Sequence, residues 1–236
     1  MERVIYTADS RGFSDYGWLQ ANYSFSFARY FNPDRMGFGM LRVLNDDIVA
    51  AGKGFDMHKH ENMEIITVAL KGAMKHVDSA GHEQILRPGD FQVMSAGTGI
   101  FHSEANAEVD SETNSLQIWI LPNEEDVEPR YDQKKISAEE REGRFAVAVA
   151  PFGQPGPLNV HQNAWISIGD FTPGAAANYK LHDASNGAYL FVIEGEVEID
   201  GAQLSRRDSV GVWDAEEVPI NVKTDSTLLL LEVPMI

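Results

Sequence analysis

No cysteine occurs among the 236 residues. That absence excludes disulfides, thiolate nucleophiles, iron–sulfur clusters and cysteine-ligated zinc, and it suits a reducing compartment. Basic residues are also scarce: 19 Lys and Arg stand against 36 Asp and Glu, for a formal net charge of −17. A surface that acidic repels phosphate backbones and anionic lipid. Direct nucleic-acid binding and membrane binding are therefore not expected, whereas a protein partner is compatible. Long apolar runs are missing too. No stretch approaches the roughly 20 residues that a membrane-spanning helix needs, and Met1 to Asp9 hold no apolar core of signal-peptide length. The expectation is a soluble, cytoplasmic protein.

What is present is strand signal. Residues 1–36 are rich in aromatics (Phe13, Tyr16, Trp18, Tyr23, Phe25, Phe27, Tyr30 and Phe31), read first as core, with a substrate pocket lined by some of them as the sharper alternative. Tyr23-Ser24-Phe25-Ser26-Phe27-Ala28 alternates ring and small residue with the period of a strand. Gly37 to Leu44 is a second strand candidate, and Asn45-Asp46-Asp47 reads as the turn that ends it. From Ile48 to Pro122, short β-rich runs alternate with turn residues such as Ser79-Ala80-Gly81 and Pro88-Gly89-Asp90. Leu116 to Leu121 alternates less cleanly and reads as a buried strand. Such spacing without helices predicts an all-β sandwich or barrel. The pattern breaks over residues 123–144, where Ser137-Ala138-Glu139-Glu140 is a capping box for one short helix. It resumes from Phe145 onward. Two β-barrel domains are predicted, residues 1–135 and 136–236.

Chemistry concentrates in two short stretches. In Gly54–Glu64, His58 and His60 stand two apart, and in Gly97–Glu104 so do His102 and Glu104. On an extended strand that spacing sends both side chains to one face. Imidazole is the commonest ligand for a divalent transition metal. Two such strands could close three nitrogens and one carboxylate oxygen around an ion and leave room for small molecules. Any one histidine on a strand is more often packed or exposed than a ligand, and His76, His82, His161 and His182 are read that way. The coincidence of two same-face pairs favours the metal. A weak internal repeat runs from Ala69–Phe91 to Val192–Ser209. Equal offsets in the second copy place Leu181, Asp183, Ile220 and Val222 where the first has its four candidates. The second barrel is therefore expected to hold no metal.

These residues resemble a known family. Gly52, His58, His60 and Glu64 satisfy the first cupin motif, G-x5-H-x-H-x3-E; the Pro88-Gly89-Asp90 turn and His102 resemble the second. More narrowly, Phe25–Ala28, Leu41–Asp47, Gly54–Glu64, His76–Ser79, Ser95–Glu104 and Gln117–Trp119 resemble a pirin-type bicupin. The resemblance implies two packed jelly-roll barrels with the metal in the first, held by His58, His60, His102 and Glu104. Many other cupins use the carboxylate found here at Glu64; spacing does not separate it from Glu104, and Glu64 is expected instead to orient a histidine. Lys59 stands where relatives often carry proline. Bacterial members resemble quercetin 2,3-dioxygenases. The implied activity is metal-dependent cleavage of a flavonol such as quercetin by O2, with release of carbon monoxide and Glu104 as the base for the 3-hydroxyl proton. One divalent ion per chain is implied, Fe(II) first, with Mn, Co, Ni, Cu or Zn as alternatives. Pirins have also been linked to transcriptional co-regulation, so a metal-dependent redox or stress regulator acting through a protein partner is the rival. A cupin oxygenase or isomerase with another substrate would use the same residues.

Overall fold

A computed structural model describes residues 1–175 and 177–235. The first barrel has eleven strands: β2 (Gly12–Asp15), β3 (Leu19–Tyr23), β4 (Leu41–Val49), β5 (Gly54–His60), β6 (Glu64–Lys71), β7 (Met74–Asp78), β8 (Glu83–Leu86), β9 (Asp90–Ser95), β10 (Ile100–Asn106), β11 (Thr113–Ile120) and β12 (Arg130–Lys135). They form a sheet in the order β12-β9-β6-β11-β4-β3-β2 and a smaller one in the order β5-β10-β7-β8. After helix α1 (Ala138–Arg141) come β13 (Ala146–Pro151), β14 (Leu158–Val160), β15 (Trp165–Phe171), β16 (Tyr179–Lys180), β17 (Asn186–Glu194), β18 (Val197–Ile199), β19 (Ala202–Leu204), β20 (Ser209–Trp213), β21 (Glu217–Val218), β22 (Asn221–Val222) and β23 (Ser226–Pro234). The capping box forms: Ser137 Oγ accepts from the Glu140 backbone, and Glu140 accepts from that of Ser137. Strand β1 (Glu2–Tyr6) does not join the barrel it precedes. It pairs antiparallel with β20 and extends the large sheet of the second barrel.

The period of two along each strand explains how the barrels differ. In β11, Leu116, Ile118 and Ile120 join the largest core cluster, which also holds Ile166, Tyr189, Leu229 and Leu231 of the second barrel. The large sheets therefore share one apolar layer between them. The alternate residues Gln117 and Trp119 face into the first barrel, where they line a cavity. In β23 both faces are apolar. Leu229 and Leu231 enter the shared layer, while Leu228 and Leu230 fill the second barrel's own interior. A run buried on both faces loses its alternation. The second barrel is thus filled mainly by aliphatic side chains, and the first keeps a polar, partly open interior.

One expectation about β4 needs correction. Asn45, Asp46 and Asp47 are no turn: they lie mid-strand, paired with Gln117, Leu116 and Ser115. Buried polar residues are tolerated in a strand when each finds a partner or stays neutral. Asp46 has Arg11 at 3.4 Å and Arg207 at 3.3 Å. Asp47 takes the neutral route, as its environment below shows.

Candidate metal centre

Strands β5 and β10 pair antiparallel, with His58 directly opposite His102 and His60 opposite Ile100. The register then slips, so that Glu104 faces Phe55 and β5 carries one extra residue. Such a bulge bends a strand and re-aims its side chains. Gly54 lets the strands close beyond the bulge: a Cβ there would lie 2.3 Å from the Glu104 carbonyl oxygen.

His58, His60 and His102 form a triangle with ring centroids 4.5–4.8 Å apart. His58 Nδ1 lies 2.7 Å from the Asp56 carbonyl, which can only accept, so Nδ1 carries a proton and, in the neutral ring, Nε2 is the bare nitrogen. That Nε2 points at His102 Nε2, 3.1 Å away. Two nitrogens on adjacent positions of an ion, each bound at about 2.1 Å, are separated by about 3.0 Å. The donor set therefore fits a divalent transition metal. Burial, then the charge of neighbouring histidines, pulls His60 down to about 4 and His102 down to about 3. Both rings are neutral near pH 7, the state a metal requires.

Glu104 is buried, and its oxygens are held separately. Thr67 Oγ1 donates to one at 3.2 Å and Gln117 Nε2 to the other at 2.7 Å. These donors belong to one row across the inner face of the large sheet, Tyr23, Asn45, Gln117, Thr67 and Gln92 in register. The structure groups Glu104 with His102 and His76, whose ligand-type atoms lie within 4.8 Å of one another; His58, His60 and His102 form a separate such group. The structure brings Glu64 to neither. The chain turns after His60, and β6 begins only at Glu64. Glu64 then falls on the opposite face of β6 from Thr67, where it accepts from Ser95 Oγ at 2.8 Å. Burial pushes its pKa up to about 7. In the second barrel, Leu181, Ile220 and Val222 are core residues, and Asp183 bonds Asn163 and Ser185.

A cavity of about 510 Å³ opens onto the centre. His58, His60, Glu104 and Gln117 line it together with Tyr16, Trp18, Tyr23, Phe27, Phe55 and Trp119. Of the N-terminal aromatics, Tyr16, Trp18, Tyr23 and Phe27 thus form pocket wall, the sharper of the two readings, while Phe25 lies in the core. Wall rings meet edge to face: Trp18 with Phe55 at 5.3 Å, and Phe27 with Trp119 at 5.2 Å. Asp47 also lines the cavity. Burial, then the charges of Asp46 and Glu104, raise it to about 8, so it carries a proton at neutral pH. Its Oδ1, Asn45 Oδ1 and Trp119 Nε1 have no hydrogen-bond partner among the described residues.

The pirin family profile matches residues 6–120, and that of the quercetinase C-terminal cupin domain matches residues 147–233. Quercetin 2,3-dioxygenase of Escherichia coli K12 is 38% identical over 233 residues, 96% of each chain. The chain belongs to the pirin family. A pirin-like protein of Caulobacter vibrioides is 37% identical over 225 residues, 95% of this chain and 96% of that protein. The crystal structure of YhhW from Escherichia coli superposes with a TM-score of 0.94 at 35% identity, over 100% of this chain and 99% of that one. The same pirin in complex with nickel(II) gives 0.93 over 100% of each chain, again at 35% identity. The bicupin fold is therefore shared along its whole length.

Sequence reasoning passed over Thr67, Gln117, His76 and Asp78. His76 and Asp78 lie on β7, beside β10, while Thr67 and Gln117 reach Glu104 from the facing sheet, and only the folded barrel reveals either. His76 and Asp78, two apart on β7, did carry the same-face spacing that marked the candidate ligands His58 and His60.

Proposed function

We propose that this pirin is a metal-dependent dioxygenase that cleaves a flavonol such as quercetin. Flavonol and O2 would give the ring-opened depside and carbon monoxide, with one carbon leaving as CO and both oxygen atoms of O2 entering the products. The observation that carries the reading is an aromatic-walled cavity lined by His58, His60 and Glu104, with His102 grouped behind them with both histidines and, separately, with Glu104. His58, His60, His102 and Glu104 would hold one divalent ion, Fe(II) in the first instance. When bound, that ion supplies Lewis acidity for a flavonolate oxygen and a template for O2.

This chain's own residues would do the rest. Phe27, Trp18 and Trp119 sandwich a flat polycyclic substrate and exclude water. Glu104 receives the 3-hydroxyl proton on a carboxylate oxygen, with Gln117 and Thr67 fixing its orientation. Asp47, carrying its own proton, offers a donor to a substrate carbonyl or hydroxyl. The names of full-length relatives and the nickel complex of YhhW support a metal-dependent oxygenase without choosing the metal. A cysteine-free sequence suits a reducing, cytoplasmic setting. Among the described residues, no helix is long and apolar enough to cross a membrane.

The test is aerobic turnover of quercetin by protein loaded in turn with Fe(II), Mn, Co, Ni, Cu and Zn. Loss of flavonol absorbance and release of carbon monoxide are followed together. Carbon monoxide from the wild type and none from His58→Ala/His60→Ala is the expected result. No carbon monoxide from folded, metal-loaded protein would overturn the dioxygenase reading and leave a metal-binding regulator with a protein partner.

A further inference from the structure

Behind the proposed ligands runs a second set of groups that the reaction above does not use. His102 Nδ1, the nitrogen turned away from the cavity, lies 3.5 Å from His76 Nδ1. His76 Nε2 lies 3.1 Å from Asp78 Oδ2. His82 Nδ1 reaches the same carboxylate at 2.9 Å. The backbone N–H groups of Ala80 and His82 donate to its other oxygen, each at 3.0 Å. His76 and Asp78 side chains are 0% exposed, and only His82, at 39%, reaches solvent. Tyr131 covers the row, its ring 4.6 Å from that of His76 and 5.1 Å from that of His82.

We infer that His82, Asp78 and His76 are positioning residues that fix the proton of His102 on Nδ1 and so present its Nε2 lone pair to the cavity. The proton placements follow from both ends. Asp78 is surrounded by four donors and, as a carboxylate, can only accept. His76 must therefore carry a proton on Nε2, and in its neutral form its Nδ1 is an acceptor. The group facing that acceptor is His102 Nδ1, which then donates. The remaining nitrogen of His102 is bare, and it is the one 3.1 Å from His58 Nε2. A cation in the cavity demands the same assignment, because it takes the Nε2 lone pair. The competing neutral arrangement, with the His102 proton on Nε2 and donated to His58 Nε2, would leave His76 Nδ1 facing a second bare nitrogen and would block the cation. Partners of this kind orient a ligating imidazole and raise its basicity. In the bland alternative, the buried His76–Asp78 pair merely packs under Tyr131 and leaves the protons of His102 free to move.

The inference rests on His102 being a metal ligand, so the experiment separates the two claims. Histidine is labelled with 15N, and long-range proton–nitrogen correlations are recorded on the metal-free and zinc-loaded full chain. The expected map has protons on His102 Nδ1 and His76 Nε2 in both states, with His102 Nε2 shifting on zinc addition. A proton on His76 Nδ1, or a ring of His102 exchanging between tautomers in metal-free protein, would overturn the relay. No zinc response at His102 would instead sink the metal assignment, while the metal-free map still decides the relay. Zinc affinity is then measured by competition with a chromophoric chelator. In Asp78→Asn the side chain offers His76 a donor as well as an acceptor, and the zinc Kd is expected to rise about 10- to 100-fold. His82→Ala, one bond further out, should raise it less. An unchanged Kd in folded Asp78→Asn would leave the pair a packing feature only.

Discussion

Asp46 and Asp47 adjoin in sequence and serve opposite faces of one sheet. The Asp46 carboxylate lies 3.3 Å from Arg207 Nε of the second barrel, whereas Asp47 faces the aromatic cavity. Strand alternation makes this division automatic. One residue ties the barrels together, and the next conditions the site.

The Asp46–Arg207 pair should be a cooperative tie. Both side chains are under a tenth exposed, at 8% and 7%. Asn114 also donates to Asp46 at 2.8 Å. Removing one partner leaves the other its remaining contacts, Arg11 at 3.4 Å in the case of Asp46, and costs about 1–3 kcal/mol. Arg207→Ala and Asp46→Asn should each lower the denaturant midpoint by that equivalent, and the double variant should cost less than the sum. Strictly additive losses in the cycle would show that the two residues act independently.

A second prediction concerns pH. Burial raises Asp47 from its ordinary 3.8 to about 8, and Glu64 from 4.5 to about 7. Between those values the folded chain keeps protons that the unfolded chain has released. Stability therefore falls as pH rises. The contribution is fully present below about 3.8 for Asp47 and 4.5 for Glu64, and it is lost as pH passes about 8 and 7 respectively. Unfolding free energy of metal-free protein, measured from pH 5 to 8, should decline less steeply in Asp47→Asn and in Glu64→Gln, and least in the double variant. An identical slope in the double variant would mean that neither group is neutral in the native state.

Much of this was legible because it is local. Two histidines at i and i+2 share a face on any strand, and Ser137 with Glu140 caps a helix without outside help. The apolar run Leu116–Leu121 marked a buried strand, and β11 runs through it to Ile120. What was hidden depends on which strands become neighbours. Glu2–Tyr6 carries no mark that sends it to β20 in the far sheet. His76 and Asp78 had the right spacing, but nothing local says that β7 lies beside β10. Asn45–Asp47 imitated a turn because its partners, Arg11 and Arg207, are distant in sequence. Glu64 lost its place beside His60 because the strand broke between them.

The aromatic wall predicts a binding phenotype distinct from a chemical one. Trp18 lies in the cavity wall against Phe55 and takes no part in the hydrogen bonds to Glu104. An aromatic contact of this kind contributes about 1 kcal/mol beyond area burial, or about fivefold in affinity. Trp18→Ala should raise KM for quercetin at least that much while kcat changes little and zinc affinity not at all. A fall in kcat with KM unchanged would place Trp18 in the chemistry instead.

Gln117 should behave in the opposite way. Its amide donates to Glu104 Oε2 at 2.7 Å, and it is the shorter of the two bonds that orient that carboxylate. A hydrogen bond to a charged group is worth about 1.5–3 kcal/mol. Gln117→Leu keeps the bulk of the side chain and removes the donor, leaving Thr67 alone to hold Glu104. If Glu104 must meet the 3-hydroxyl in one orientation, kcat should drop about 10- to 100-fold. KM should move little, because the aromatic wall is untouched. Thr67→Val, which removes the longer and neutral contact, should cost less. Full kcat in Gln117→Leu, in protein that still binds metal as the wild type does, would show that Glu104 needs no such alignment and that its proton-accepting role is wrongly assigned.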